Sequence, residues 1–176
     1  MKMIGKKLAQ RAIERADSGL YFIEDILQFK DGSTDMAYSR SWYILMSLNF
    51  ELILNALIAL ESKGNTNEEV IKDITSVRPS HDFEKLSESI SPELLNEVGL
   101  VSIKKKMKGV FIEYEVMMHD KSKVHVQDLV DVRYDFKKDD LRKSDPQEVS
   151  RIKRELKSLR SVVCIVKELA WSANAK

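Results

Sequence analysis

Apolar residues recur every three or four positions along most of this chain, the period of helices that bury one face. Ile4, Leu8, Ala12, Ala16, Leu20, Ile23 and Leu27 form the first such stripe, with Lys6, Lys7, Arg11, Glu14 and Arg15 outside it. This predicts a helix from Lys2 to Phe29, bent at Gly19. A turn at Lys30-Asp31-Gly32-Ser33-Thr34 leads to a second helix, from Asp35 to Ser62, stopped by Gly64. Its stretch Trp42–Leu60 is apolar almost all round, as expected of a helix covered on most sides. Ser47, Glu51 and Asn55 interrupt it every four residues and so share one narrow stripe. A carboxylate on such a helix requires a partner, a polar cleft or a subunit interface.

Shorter helices follow. Thr66 and Glu69 have the spacing of a capping box, opening a helix whose Val70, Ile71, Ile74 and Val77 face inward, with Pro79 ending it. Ser80 is the expected cap of the next helix, with Phe83, Leu86 and Ile90 on its apolar face. Ser91-Pro92-Glu93 combines a cap, a proline at the first helical position and an acid near the positive dipole end. From Leu100 to His119 the signal is mixed. Ile103, Met107, Val110, Tyr114 and Met117 keep a helical rhythm, while Val110–Val116 also alternates like a strand; the longer rhythm favours helix. Residues Asp120–Lys143 are polar, a structured connection with one short helix. Asp145-Pro146-Gln147-Glu148 then opens the last helix, whose stripe Val149, Ile152, Leu156, Leu159, Val163, Val166, Ala170 packs inside the fold or against a second copy.

The expected architecture is therefore all-α: one domain over residues 1–176, a compact bundle of about five to six helices. Its core is up-down, with long N-terminal, central and C-terminal helices. The length suffices to bury a substantial core. Lys and Arg total 29 against 28 Asp and Glu, so any attraction to nucleic acid must come from a local patch. A single cysteine excludes an internal disulfide framework and suits the reducing cytoplasm; Cys164, among Val162, Val163, Ile165 and Val166, reads as buried. The first residues lack the apolar run of a secretory signal. Trp42–Leu60 is long enough to span a membrane, but Glu51 at its centre would cost about 2.5–3.5 kcal/mol there, so no membrane association is expected.

Motifs for enzymatic chemistry are scarce. No glycine-rich phosphate loop, Cys/His zinc spacing or serine-nucleophile elbow occurs, and Glu115 with His119 lacks the Glu-x-x-His spacing of a di-iron bundle. Neither a metal nor a cofactor is expected. His81 fixes a helix start, and His119 and His125 flank a charged turn facing solvent. Two basic clusters remain. One is Lys104, Lys105, Lys106 and Lys108; the other is Arg151, Lys153, Arg154, Lys157 and Arg160, with Arg133, Lys137, Lys138, Arg142 and Lys143 upstream. Each is either a solvated face diluted by acids or a groove for an RNA backbone.

Ser47–Leu60 on a long helix, then His81-Asp82-Phe83-Glu84-Lys85-Leu86, then Arg133-Tyr134 before a final amphipathic helix, resembles the HEPN superfamily (higher eukaryotes and prokaryotes nucleotide-binding domains) across Asp35–Trp171. The resemblance implies a helical bundle that forms a homodimer. It also implies a role in toxin–antitoxin, phage-defence or RNA-processing systems, as a metal-independent RNase or as a non-catalytic binding module. Catalytic members share Arg-x(4–6)-His and Glu-x-x-x-Lys/Arg/His. Glu51 matches the glutamate, but Asn55 stands at the basic position; Arg133 matches the arginine, but positions 138 to 140 hold Lys138, Asp139 and Asp140. His125 lies upstream. The leading expectation is thus a non-catalytic module for RNA, a nucleotide or a cognate partner protein, lined by Ser47, Glu51, Asn55, Lys104, Lys105, Arg133 and Tyr134. The alternatives are a divergent endoribonuclease using Arg133, Glu51 and His81 or His125, and a scaffold dimerising through the last helix.

Overall fold

The computed structural model describes residues 3–28, 37–76, 82–108, 111–128 and 146–172. Among them are helices α1 (Met3–Gln28), α2 (Ala37–Glu61), α3 (Asn67–Ser76), α4 (Phe83–Glu88), α5 (Pro92–Glu97) and α6 (Pro146–Trp171). Between α5 and α6 lies an antiparallel sheet of β1 (Leu100–Lys108), β2 (Phe111–Met118) and β3 (Lys123–Gln127), in that spatial order. The expected all-α bundle is therefore wrong: the fold mixes helices with a three-stranded sheet.

The helical rhythm of residues 100–119 proves to be two strands read as one. Ile103 lies opposite Val116 and Met107 opposite Ile112, so residues four apart share a face of a strand as readily as a face of a helix. Valine, isoleucine and tyrosine favour that pleated surface. The sheet's inner face carries Ile103, Tyr114, Val116, Met118, Val124 and Val126, all buried. The β2–β3 turn is closed by Lys121 N–H donating to the Met118 carbonyl and Met118 N–H to that of Ser122. Lys121 itself adopts a left-handed conformation, φ 64°.

The long helices are as wide-ranging as their stripes require. Along α1, Lys6 and Gln10 donate to the carbonyls of Ser172 and Ala170, Asp17 pairs with Lys167, and Glu24 pairs with Arg160. The falling partner numbers make α1 and α6 antiparallel. Gly5 lies against Ala59 and Gly19 against Asn49, which makes α1 antiparallel to α2 as well. The helix α1 runs without a break through Gly19, which leaves room for the Asn49 side chain. Between these layers α2 is central, packing on α1, α3, α4, α6 and β3. Trp42–Glu61 has a mean hydropathy of 1.8, enough by length and composition to cross a membrane, yet 72% of it is buried inside the protein. It is a core helix. Phe50 from α2 meets Phe83 from α4 edge-on at 5.4 Å, and Phe83 meets Tyr114 from β2 at 4.9 Å, joining helices to sheet.

Caps follow the sequence in two of three places. Glu69 N–H donates to Thr66 Oγ1 at 3.2 Å and Thr66 N–H to Glu69 Oε2 at 3.3 Å. Ser91 Oγ accepts from Leu94 N–H. For α4 the cap is Asp82, which accepts from the Glu84 and Lys85 N–H groups, while Ser80 lies outside the described residues. Ile71 is exposed, contrary to the inward face expected of it, whereas Val70 is buried. Val77 falls outside the described residues.

Candidate nucleic-acid interface

The polar stripe of α2 points into the protein. Ser47 is fully buried, and Glu51 and Asn55 are 3% and 5% exposed. Ser47 Oγ donates to the Gln127 carbonyl at 2.8 Å and accepts from the Gln127 N–H at 3.1 Å, fastening β3 to α2. Asn55 Oδ1 is buried and has no hydrogen-bond partner among the described residues. Arg133, Tyr134 and His81 lie outside the described residues.

The lysine run of β1 is divided by the pleat. Lys105 turns to the inner face, 3.0 Å from Asp82 Oδ2 and over the Tyr114 ring at 6.0 Å. Lys106 is on the opposite face, 2.8 Å from Glu115, which also pairs with Lys123 at 3.2 Å. Lys104 alone of the three has no carboxylate partner among the described residues. The contiguous patch that a helix would have made does not form.

His125 is also displaced from its expected solvent position. It sits on β3 with Nδ1 2.8 Å from Glu155 Oε1 of α6, and Nε2 3.9 Å from Glu115. Glu155 is buried and has Arg151 Nε at 3.8 Å; Arg151 in turn donates to the Tyr43 hydroxyl at 2.6 Å. An imidazole between two carboxylates, with a guanidinium and a phenol beside it, has the elements of proton transfer and phosphate contact. His119 instead bonds Asn96 Oδ1 at 2.7 Å on the surface.

The cations of α6 are arranged differently. Ile152, Leu156, Leu159, Val163 and Val166 are buried against the rest of the chain, so this stripe belongs to the fold's own core. The outer flank carries Ser150, Lys153, Arg154, Lys157, Arg160, Ser161 and Cys164 at helical spacing. Cys164 is exposed here, correcting the expected burial: it is one residue round the helix from Val163. A cavity of about 510 Å³ is lined by Lys153, Lys157, Arg160, Ser161, Cys164 and Glu24 among others, and one of about 670 Å³ by Gln147, Ser150, Lys153 and Arg154. Sharing Lys153, they form a furrow running from Gln147 to Cys164, roughly 25 Å of helix.

Three of its cations, Lys153, Arg154 and Lys157, have no carboxylate partner among the described residues. Arg160 is paired with Glu24 and stacks on the Tyr21 ring at 3.7 Å. No sequence pattern points to this stack, because Tyr21 lies on a different helix, 139 positions before Arg160. No family model, curated protein or solved structure matches the chain.

Proposed function

We propose that this protein is a non-catalytic binding module that holds RNA along the outer flank of α6. One observation carries the reading: three cations without carboxylate partners among the described residues follow one helix face over two adjoining cavities, with Tyr21 stacked under Arg160 at one end. Unpaired cations are free to displace counterions from a phosphate backbone, and exposed rings give unstacked bases a surface. The resemblance of the helical segments to HEPN domains adds a cytoplasmic setting, a homodimer and a place in a phage-defence or toxin–antitoxin system.

The test is titration of a fluorescent oligouridine at several salt concentrations. Three phosphate contacts predict a log–log salt slope of about −2. Lys153→Glu with Lys157→Glu should abolish most of it. No binding at low salt, or an unchanged slope in that variant, would overturn the reading.

The His125–Glu155 pair favours a second reading, a metal-independent ribonuclease. His125 would transfer the proton, Glu155 would orient it and Arg151 would meet phosphate. RNA left intact after long incubation with chelator, at stoichiometric protein, would remove it.

A further inference from the structure

The two edges of the sheet are finished differently. At β3 the edge is covered: α2 and α6 pack against the strand, and Ser47 occupies both backbone groups of Gln127. Among the described residues β1 pairs only with β2, which leaves its other side as an open row of N–H and C=O groups. Alongside its first half lies a groove of about 820 Å³ between β1, α4 and α5. Ile90, Leu95, Leu100 and Ile103 contribute apolar lining. Glu84, Glu88 and Glu93 also line it, and none of the three is in an ion pair among the described residues. Val101, at the register shift between Leu100 and Ser102, is 55% exposed beside it.

We infer that this groove is a docking site for an extended, basic segment of a partner protein, which adds to β1 as a fourth strand. Strand addition uses backbone hydrogen bonds for affinity and alternate side chains for specificity. Here one set of alternate side chains is apolar and meets Leu95 and the exposed Val101, and the other is Lys or Arg and meets the three glutamates. The charges also argue against a second copy of this chain as occupant. Antiparallel β1–β1 pairing centred on residues 104–106 would bring the lysines of both copies together, and like charges directly opposite are destabilising. The site is short: Leu100–Ile103 spans about 13 Å of strand, and the unpaired Lys104 marks the end at which a basic segment must leave.

The experiment uses the whole chain and a labelled, end-blocked hexapeptide of alternating lysine and valine, followed by fluorescence anisotropy. Two analogues accompany it, one with glutamate for lysine and one N-methylated at alternate backbone nitrogens. The basic peptide should bind at least about tenfold tighter than the acidic one, since three rim charges act together. N-methylation should cost about tenfold or more, because it removes strand-pairing donors. The variant Glu84→Lys/Glu88→Lys/Glu93→Lys should reverse the preference between acidic and basic peptides. Equal binding of the two peptides by the natural protein overturns the proposal. So does full retention of affinity after N-methylation, which would mean charge attraction without strand addition. A doubled mass in sedimentation that Val101→Asp abolishes would assign the edge to a second copy and equally overturn it.

Discussion

The hydroxyl of Ser47 holds both backbone groups of Gln127, accepting from its N–H at 3.1 Å and donating to its carbonyl at 2.8 Å. One side chain of α2 thus does for the end of β3 what a neighbouring strand would do. Ser47→Ala leaves both groups without that partner at a site where the serine is fully buried. The expected loss is about 1–3 kcal/mol in urea denaturation, with faster hydrogen exchange at the Gln127 amide. Ser47→Thr, which keeps the hydroxyl, should retain more of the protection. Unchanged exchange in Ser47→Ala would show that the clamp does not secure the strand.

Acid should loosen the outer face of the sheet first. Hydrogen bonds from Lys106 and then Lys123 pull the Glu115 carboxyl down from 4.5 to about 2. A folded value below the unfolded one means that its contribution is complete above pH 4.5 and is lost as pH falls towards 2. Carboxyl NMR titration should find this group still ionised near pH 3. Lys106→Ala should return it part of the way to the ordinary range.

Asp82 joins a helix cap to a strand. Burial alone would raise its carboxyl, but the bond and charge of Lys105 with the N–H groups of Lys85 and Glu84 outweigh it, and the net shift is downward. Asp82→Ala should therefore cost about 1 kcal/mol for the cap, and up to about 1 kcal/mol more for the partly exposed pair with Lys105. Asp82→Asn should restore the cap without the ion pair. Denaturation of the two variants separates the contributions.

Tyr114 should resist alkali. Burial, then the charges of Asp82 and Asp128, push its phenol upward from 10. Above pH 10 the unfolded chain releases a proton that the folded one keeps, so stability declines as pH rises from there. Absorbance titration should show this tyrosine ionising only with unfolding. Asp82→Asn should lower its onset.

The α1–α2 crossing makes a prediction about glycine. A Cβ on Gly5 would lie 2.2 Å from the Ala59 carbonyl oxygen, which is backbone and cannot swing away. Gly5→Ala should cost about 1–3 kcal/mol or more. At Gly19 the obstacle is the Asn49 side-chain amide, so Gly19→Ala should cost less. Equal melting temperatures for both variants and the natural protein would contradict this packing.

Residues that announce themselves locally were legible. The helical stripes located α1, α2 and α6 to within a few residues, and Thr66 and Ser91 signalled their caps in the chain itself. What failed was the period from Leu100 to His119, where two strands in sequence imitate one helix because their inner residues also fall four apart. That error spread to the site. Lysines predicted to share a face alternate across the sheet, and Lys105 is engaged by Asp82, 23 positions earlier.

The stripe on α2 is one line of polar groups in sequence and structure alike, but its destination depends on β3, which lies 80 positions away. With no strand to bind, Ser47 looked like part of a cleft. The α6 cations were visible as a cluster. Which of them are engaged is a three-dimensional fact: Arg160 meets Glu24 from α1 and Arg151 lies near Glu155, while Lys153, Arg154 and Lys157 have no carboxylate partner among the described residues.

The unequal edges of the sheet also bear on self-assembly. Sheets that are open on both sides can stack chain upon chain without limit, the route to fibres. This one offers a single receptive flank, because helices occupy the other. A second copy pairing along it would leave each sheet with its helix-covered edge outermost, so pairing of copies stops at two and the lysine-rich β1 does not seed a polymer.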